Sequence, residues 1–385
     1  MVHRKGTKKY ACKKVLTRLS DENLFIFVTR LVLIGMFINL VRKDQETALY
    51  KLVSKDSLND YYVISSEGSR RLMASPEVIG YDCSSALMTP MKAALKALEP
   101  DLKKAAILTI LRGGLNYPLE ECCHSLGIKV NNINFLSCER VIRNHVIEGL
   151  EIKYDKLHPE KDCTLLIGDI LASGDTIRKC MMHTIDEFNR AGGSIRKIVF
   201  FTIGGTKAFN LFHDLSAHIR TVWPEFEGFE CIFFEGAFTV YEDKGVTGVN
   251  IPMIDFGWKG GCISPEFREY ILDYTYAPAL LEKCIIYDGG ARRYEIGDHF
   301  EEVIGYWEDL RRAAPASDFD AFLAEKVGYA HATYQEWLEI CGYSPDWNLE
   351  PLYNKEQKYL SDLRKHSLVE ICETRLQQLF KTIEQ

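Results

Sequence analysis

The sequence predicts an α/β fold: a mostly parallel, twisted sheet with helices on both faces, extended by helical N- and C-terminal additions. Three observations lead there. Five short apolar runs rich in β-branched and aromatic residues, Ala106 to Leu111, Val130 to Leu136, Thr164 to Ile170, Lys197 to Ile203 and Cys231 to Val240, are spaced through the middle of the chain. Helix-like stretches separate several of them, the alternation expected of strands that run parallel and are covered on both faces. Finally, a chain of 385 residues, 46% hydrophobic and 26% charged, buries enough surface to need no disulfide or metal staple. That length calls for more than one lobe, with boundaries at 1–70, 71–250 and 251–385.

The first of these regions reads as helical, with charged breaks such as RKDQE and SKDSLND between apolar faces. Its beginning is a basic arm: Arg4, Lys5, Lys8, Lys9, Lys13, Lys14 and Arg18 stand without an acid in residues 1–18. Against a net charge of −7 this leaves −14 on the remainder, and the arm suits contact with nucleic acid or an acidic protein partner, or plain solvation. Leu24 to Val41 is the one long apolar segment. Arg30 near its middle, Asn39 near its end and basic flanks argue for a buried helix over a membrane span, and no small-residue cleavage site follows it.

The twelve cysteines are scattered, with one adjacent pair (Cys122, Cys123) and no C-x-x-C. Neither a zinc ribbon nor a secreted disulfide framework is indicated; free thiols in a reducing cytoplasm are expected. After Asn250 the pattern becomes helical again, broken by a glycine-rich turn at Gly257 to Gly261 and by Tyr287-Asp288-Gly289-Gly290. Between Lys355 and Gln385, Leu360, Leu363, Leu368, Ile371, Leu376 and Leu379 recur at helical spacing, a seam that packs on its own protein or, as the alternative, forms a homodimer contact.

The chemistry concentrates in Thr164 to Arg178, TLLIGDILASGDTIR. An apolar strand ends in an acid, and a small-residue loop, Ala172-Ser173-Gly174-Asp175-Thr176, leads directly into a helix. Backbone N–H groups, the Ser173 and Thr176 hydroxyls and the positive end of the helix make a cradle for a phosphate monoester, and Gly174 permits close approach. Asp169 stands where a carboxylate accepts hydrogen bonds from two adjacent sugar hydroxyls.

These residues resemble the motif that binds 5-phosphoribosyl 1-diphosphate (PRPP) in type I phosphoribosyltransferases, where a hydrophobic strand precedes two acids and a T-G-x-T-like loop; L-A-S-G-D-T is also similar to the L-A-T-G-G-S of uracil phosphoribosyltransferases. The resemblance implies that Ala172 to Thr176 hold the 5-phosphate and Asp169 the ribose hydroxyls. It departs at the first acidic position, which is Gly168 here, a change expected to weaken ribose binding or lower turnover. Upstream, Arg112-Gly113-Gly114 follows the strand Ile107 to Leu111, and fifty-five residues separate Gly114 from Asp169. This turn resembles the family's diphosphate-binding loop; a guanidinium suits a diphosphate, and the glycines let amides approach it. The polar interval Ser137 to Pro159 reads as irregular and corresponds to the family's mobile lid, with Arg140 and Arg143 as the groups that neutralise the leaving diphosphate or, alternatively, as solvated surface charge. The resemblance covers Ala105 to Gly205.

The resemblance implies displacement of diphosphate, with magnesium carried on the substrate, from the anomeric carbon by a nitrogen nucleophile such as a nucleobase. Phe256, Trp258 and Lys259 offer a stacking surface for that base, or else pack beneath a glycine turn; Asp288, Arg292 and Arg293 offer a lobe contact. Two alternatives stand beside the transferase: a regulator that binds PRPP or nucleotide without turnover, and an antiphage effector of a reverse-transcriptase (retron) system acting on nucleotides or bound to nucleic acid.

Overall fold

Each of the five apolar runs forms a strand, and each of those at the centre of the sheet ends where the sequence turns polar. The computed structural model describes residues 37–98, 102–143, 146–241, 245–249, 255–273, 281, 291–328 and 331–384. The basic arm, the part of the long apolar segment before residue 37, and Asp288 lie outside them. Among the described residues the strands are β1 (Phe37–Lys43), β2 (Thr47–Val53), β3 (Asp60–Ser66), β4 (Ala105–Leu111), β5 (Val130–Arg143), β6 (Val146–Lys156), β7 (Cys163–Gly168), β8 (Ile195–Gly205), β9 (Gly228–Tyr241) and β10 (Asp255–Ile263). The helices are α1 (Glu67–Ala74), α2 (Tyr81–Leu98), α3 (Tyr117–Ser125), α4 (Asp175–Arg190), α5 (Ala208–Val222), α6 (Pro265–Asp273), α7 (Ile296–Ala313), α8 (Phe319–Val327), α9 (Tyr334–Cys341), α10 (Glu350–Leu363) and α11 (Leu368–Ile383).

One sheet carries all ten strands, in the order β1-β2-β3-β9-β8-β7-β4-β5-β6, with β10 pairing β9 beyond this path. Its centre is parallel: β3 with β9, β9 with β8, β8 with β7, β7 with β4 and β4 with β5. Every residue of β7 is buried, and so are the first six of β4. Because successive side chains alternate between faces, a fully buried strand means that both faces are covered there.

The sheet is nonetheless mixed and not strictly parallel: five of the nine pairings among the described strands are parallel and four antiparallel. β1 with β2, β2 with β3, β5 with β6 and β9 with β10 are antiparallel. The N-terminal region was expected to be helical, but residues 37–66 are three strands. The breaks are hairpin turns: Asp44 accepts from the Glu46 and Thr47 amides at 3.0 and 2.8 Å, and Asp56 from the Leu58 amide at 2.9 Å and the Tyr61 hydroxyl at 2.7 Å. Strands buried on both faces lack alternation, so a run such as Tyr61-Tyr62-Val63-Ile64 carries no period that separates strand from helix. Two further corrections share this origin. Ser137 to Pro159 is not irregular; most of it is the β5–β6 hairpin, and Gly257 to Gly261 lie within β10 instead of forming a turn.

The leucine seam falls on α10 and α11, and all six residues are buried in the chain's own core. The C-terminal helices are tied to the sheet by buried polar contacts. Arg268 pairs with Glu356 at 3.4 Å, and the Tyr343 hydroxyl donates to the Ile263 carbonyl at 2.6 Å. No described helix is long and apolar enough to cross a membrane. The ten described cysteines are free, and nine of them are buried.

β9 changes partner at Glu235. Up to Phe234 it pairs with β3, from Gly236 onward with β10, and Glu235 between them has φ of 62°. Its buried carboxylate accepts from the Ser66 amide at 3.0 Å, the Ser69 hydroxyl at 2.5 Å and the Ser264 hydroxyl at 2.9 Å. Ser66 caps α1 and Ser264 caps the first turn of α6, so two helix N-termini face the one carboxylate. Burial outweighs these donors and raises its pKa to about 7. An acid with a raised folded pKa holds its stability contribution at low pH and loses it as pH climbs from the unfolded value toward the folded one. Chemical denaturation of the wild type is therefore expected to show stability falling between about pH 5 and pH 7, and Glu235→Gln to flatten that fall; an equally steep slope in the variant would reassign it to another group.

Candidate phosphate and ribose site

The C-terminal edge of a parallel sheet is where strands hand over to loops, and here the two singled-out motifs meet. β4 hydrogen-bonds directly to β7, so the turn after β4 and the loop after β7 emerge side by side. A single buried side chain fastens them. Asn116 donates through Nδ2 to the Gly168 carbonyl at 2.8 Å, and its Oδ1 accepts from the Gly168 amide at 2.9 Å.

The first turn is built by glycine. Gly113 sits at φ of 51°, and a Cβ there would lie 2.7 Å from the Ile110 carbonyl oxygen. The Leu111–Arg112 peptide is cis, and Gly114 to Asn116 form a short 3-10 turn that runs into α3. Arg112 projects outward with 65% of its side chain exposed and is ion-paired with Glu295, the residue preceding α7. The Tyr117 hydroxyl donates to the Arg112 carbonyl at 3.0 Å, and the Tyr117 ring meets Tyr294 edge to face at 5.0 Å.

The second loop remains attached to the sheet beyond β7. The Asp169 amide donates to the Phe201 carbonyl at 3.1 Å and the Leu171 amide to Ile203 at 3.0 Å, which holds Asp169 at the strand end where the sequence puts it. Packing round the carboxylate, against one hydrogen bond from the Ile170 amide at 2.8 Å, pushes its pKa up to about 7. Gly174 then turns through φ of 85° and starts α4 with no side-chain cap. The first-turn N–H groups of α4, Asp175 to Ile177, have no intrahelical acceptor, and this end carries the positive pole of a 16-residue helix. Ala172, Ser173 and Thr176 are half-buried beside it, whereas Asp175 is exposed, so its contribution to an anion site is its N–H rather than its carboxylate.

Gly168 explains itself in this geometry. A Cβ there would lie 2.6 Å from the Leu115 carbonyl oxygen and 2.8 Å from the Leu115 carbonyl carbon. The position that holds an acid in the resembled motif is filled here by the main chain of the neighbouring turn. Sequence reading registers the missing acid but not what replaces it, and it overlooks Asn116 and Glu295 entirely. Asn116 and Gly168 are 52 residues apart, and nothing local in G-L-N-Y-P announces a long-range clasp.

Of the remaining candidates, Arg140 and Arg143 lie on β5, whose hairpin with β6 extends past the end of β4 at Leu111; their side chains lie outside what the structure describes. The same holds for Phe256, Trp258 and Lys259 on β10 and for Arg292. Arg293 is fully buried and donates to three main-chain carbonyls, Ser75 at 2.7 Å, Val78 at 2.8 Å and Leu72 at 3.0 Å, as a structural anchor. Among the described residues no group of three His, Cys, Asp or Glu is arranged to hold a metal ion.

Restoring the acid tests this packing. Gly168→Asp is expected to lose at least about 2 kcal/mol in denaturant titration, because the added atoms meet main chain that has nowhere to move. A variant as stable as the wild type would show that the clasp yields.

No protein-family model matches the sequence, and no curated protein matches it. Among solved structures, the AQ2163 protein from Aquifex aeolicus aligns at 14% identity over 44% of this chain and 84% of its own, with a TM-score of 0.31. A purine phosphoribosyltransferase from Pyrococcus horikoshii aligns at 18% identity over 40% and 89%, with a TM-score of 0.25. A hypoxanthine phosphoribosyltransferase from Staphylococcus aureus aligns at 16% identity over 32% and 66%, also with a TM-score of 0.25.

Proposed function

We propose that this protein binds PRPP or a closely related phosphoribosyl diphosphate at the joined ends of β4 and β7, and that it transfers the phosphoribosyl group to a nitrogen nucleophile with release of diphosphate. The observation that carries the reading is the Asn116–Gly168 clasp, which ties the arginine-glycine turn after β4 to the end of β7, where the Asp169 carboxylate and the loop into the uncapped N-terminus of α4 follow. Ligands of open α/β sheets occupy this edge.

In this reading the 5-phosphate sits on the first turn of α4, with the Ser173 and Thr176 hydroxyls and the amide-rich loop as donors. Asp169 takes the ribose hydroxyls. Arg112, Gly113 and Gly114 take the diphosphate, which brings its magnesium with it. The chain's work is positioning and charge neutralisation, since the bond to the leaving group is already activated. Arg140 and Arg143, on the projecting hairpin, are the proposed source of further positive charge.

A second reading rests on Gly168. With one ribose carboxylate replaced by packed main chain, the site is also suited to a sensor that binds PRPP and releases little diphosphate. Diphosphate release over a panel of nucleobases separates the two, because both bind and only the first turns over.

Calorimetric titration with magnesium PRPP tests the site itself. Asp169→Asn removes a charged acceptor from the ribose and is expected to weaken binding about 10- to 100-fold in a protein that melts normally; unchanged affinity would withdraw the ribose assignment. Gly174→Val puts a β-branched side chain at positive φ and drives its Cβ against the Leu211 side chain at 2.7 Å, which forces the loop out of its conformation. Ribose 5-phosphate soaked into crystals of that variant is expected to leave no density at the loop, and a normally seated ligand would disprove the loop assignment.

A further inference from the structure

We infer that Glu295 is an internal competitor for the anion subsite: the C-terminal region holds its carboxylate on Arg112, and a diphosphate binds there by displacing it. This rests on the proposed role of the Arg112-Gly113-Gly114 turn as the diphosphate subsite.

The placement of Glu295 is firm. Two residues before it, Arg293 is buried among three carbonyl oxygens, its own carbonyl accepts from the Gly80 amide at 3.0 Å, and four residues after it His299 hydrogen-bonds the Pro76 carbonyl at 2.8 Å. Tyr294 is fixed by its hydroxyl contact with Ser84 and by its ring against Tyr117. The segment from Arg293 to His299 is thus pinned to residues 72–84, and Glu295 is the side chain it offers to the turn.

The contact it makes is weak by design of its surroundings. Arg112 is 65% exposed and Glu295 32%, and an ion pair that open to water contributes little to stability. Its consequence is local. The guanidinium has five N–H donors, and a carboxylate on Nη1 withholds that nitrogen's donors from another oxyanion and offsets the positive charge. A ligand that must first open the pair binds with an apparent affinity reduced by the fraction of molecules in which Arg112 is free. Glu295 also leaves a negative charge beside the subsite, which opposes an incoming polyanion until the side chain swings away. The anchor explains why the carboxylate is always at hand, and the exposure why it gives way.

Inorganic diphosphate is the probe, titrated into the full-length wild type, Glu295→Gln, Arg112→Gln and the double variant, with ribose 5-phosphate titrated in parallel to report on the α4 loop. Glu295→Gln is expected to bind diphosphate about three- to tenfold more tightly, the scale of an exposed ion pair with its like-charge repulsion removed. Arg112→Gln is expected to erase that gain in either background, and ribose 5-phosphate affinity to stay constant throughout. Diphosphate affinity equal to or weaker than wild type in a Glu295→Gln protein that melts normally and binds ribose 5-phosphate overturns the competitor role and leaves the proposed function standing. Absence of binding by both ligands in every variant overturns both. Should Glu295→Gln fail to fold, Glu295→Ser supplies the same comparison.

Discussion

Two turns from strands 52 residues apart share the space of one side chain, and the sheet edge is organised round that fact. Asn116 satisfies both polar groups of the Gly168 peptide, inside the protein where an unpaired amide or carbonyl is costly. In doing so it fixes the distance between the arginine-glycine turn and the end of β7. The close approach of Leu115 to Gly168 follows, and with it the exclusion of any side chain there. Asp169, one residue on, inherits its position from this contact and from the hydrogen bond of its amide to β8. Neither turn has this geometry alone.

Two carboxyl groups at the same edge are raised by burial to about 7, and their surroundings separate their roles. Glu235 is wholly buried, spends its oxygens on the Ser66 amide and the Ser69 and Ser264 hydroxyls, and marks the place where β9 exchanges β3 for β10. It is an architectural acid. Asp169 keeps part of its surface open and has one local amide donor, so its oxygens retain acceptor capacity for an arriving ligand. Equal pKa values thus arise from one cause and serve different ends, and hydrogen-bond occupancy is the property that distinguishes them.

The legibility of the sequence follows the range of the physics involved. The strand from Thr164, the small-residue loop and the start of α4 are fixed by neighbours within a few residues, and they were readable. The parallel core was readable for the same reason, from apolar runs with helices between them. The edges were not: Tyr61 to Ile64 and the segment from Gly257 to Gly261 lack the period-two pattern because burial on both faces or a register shift erases it. The β5–β6 hairpin was hidden behind its charges, since exposed strands and loops share a polar composition. Asn116 with Gly168, and Arg112 with Glu295, are pairings across 52 and 183 residues, and no local pattern encodes them.

The replacement of an acid by packed main chain bears differently on binding and on rate. Contacts to the 5-phosphate act on a group remote from the anomeric carbon, and most of their energy is present in the ground state. A carboxylate beside the ribose ring faces the part of the substrate whose charge changes as the leaving group departs. Interactions of the first kind set affinity, and those of the second kind set turnover. Under the proposed function, a site that keeps its helix terminus and its hydroxyls for the 5-phosphate while filling the first acidic position therefore preserves recognition more fully than it preserves catalysis. Under the proposed function, Gly168 is the residue at which those two properties part, and the Leu115 carbonyl against it shows why a single substitution does not reunite them.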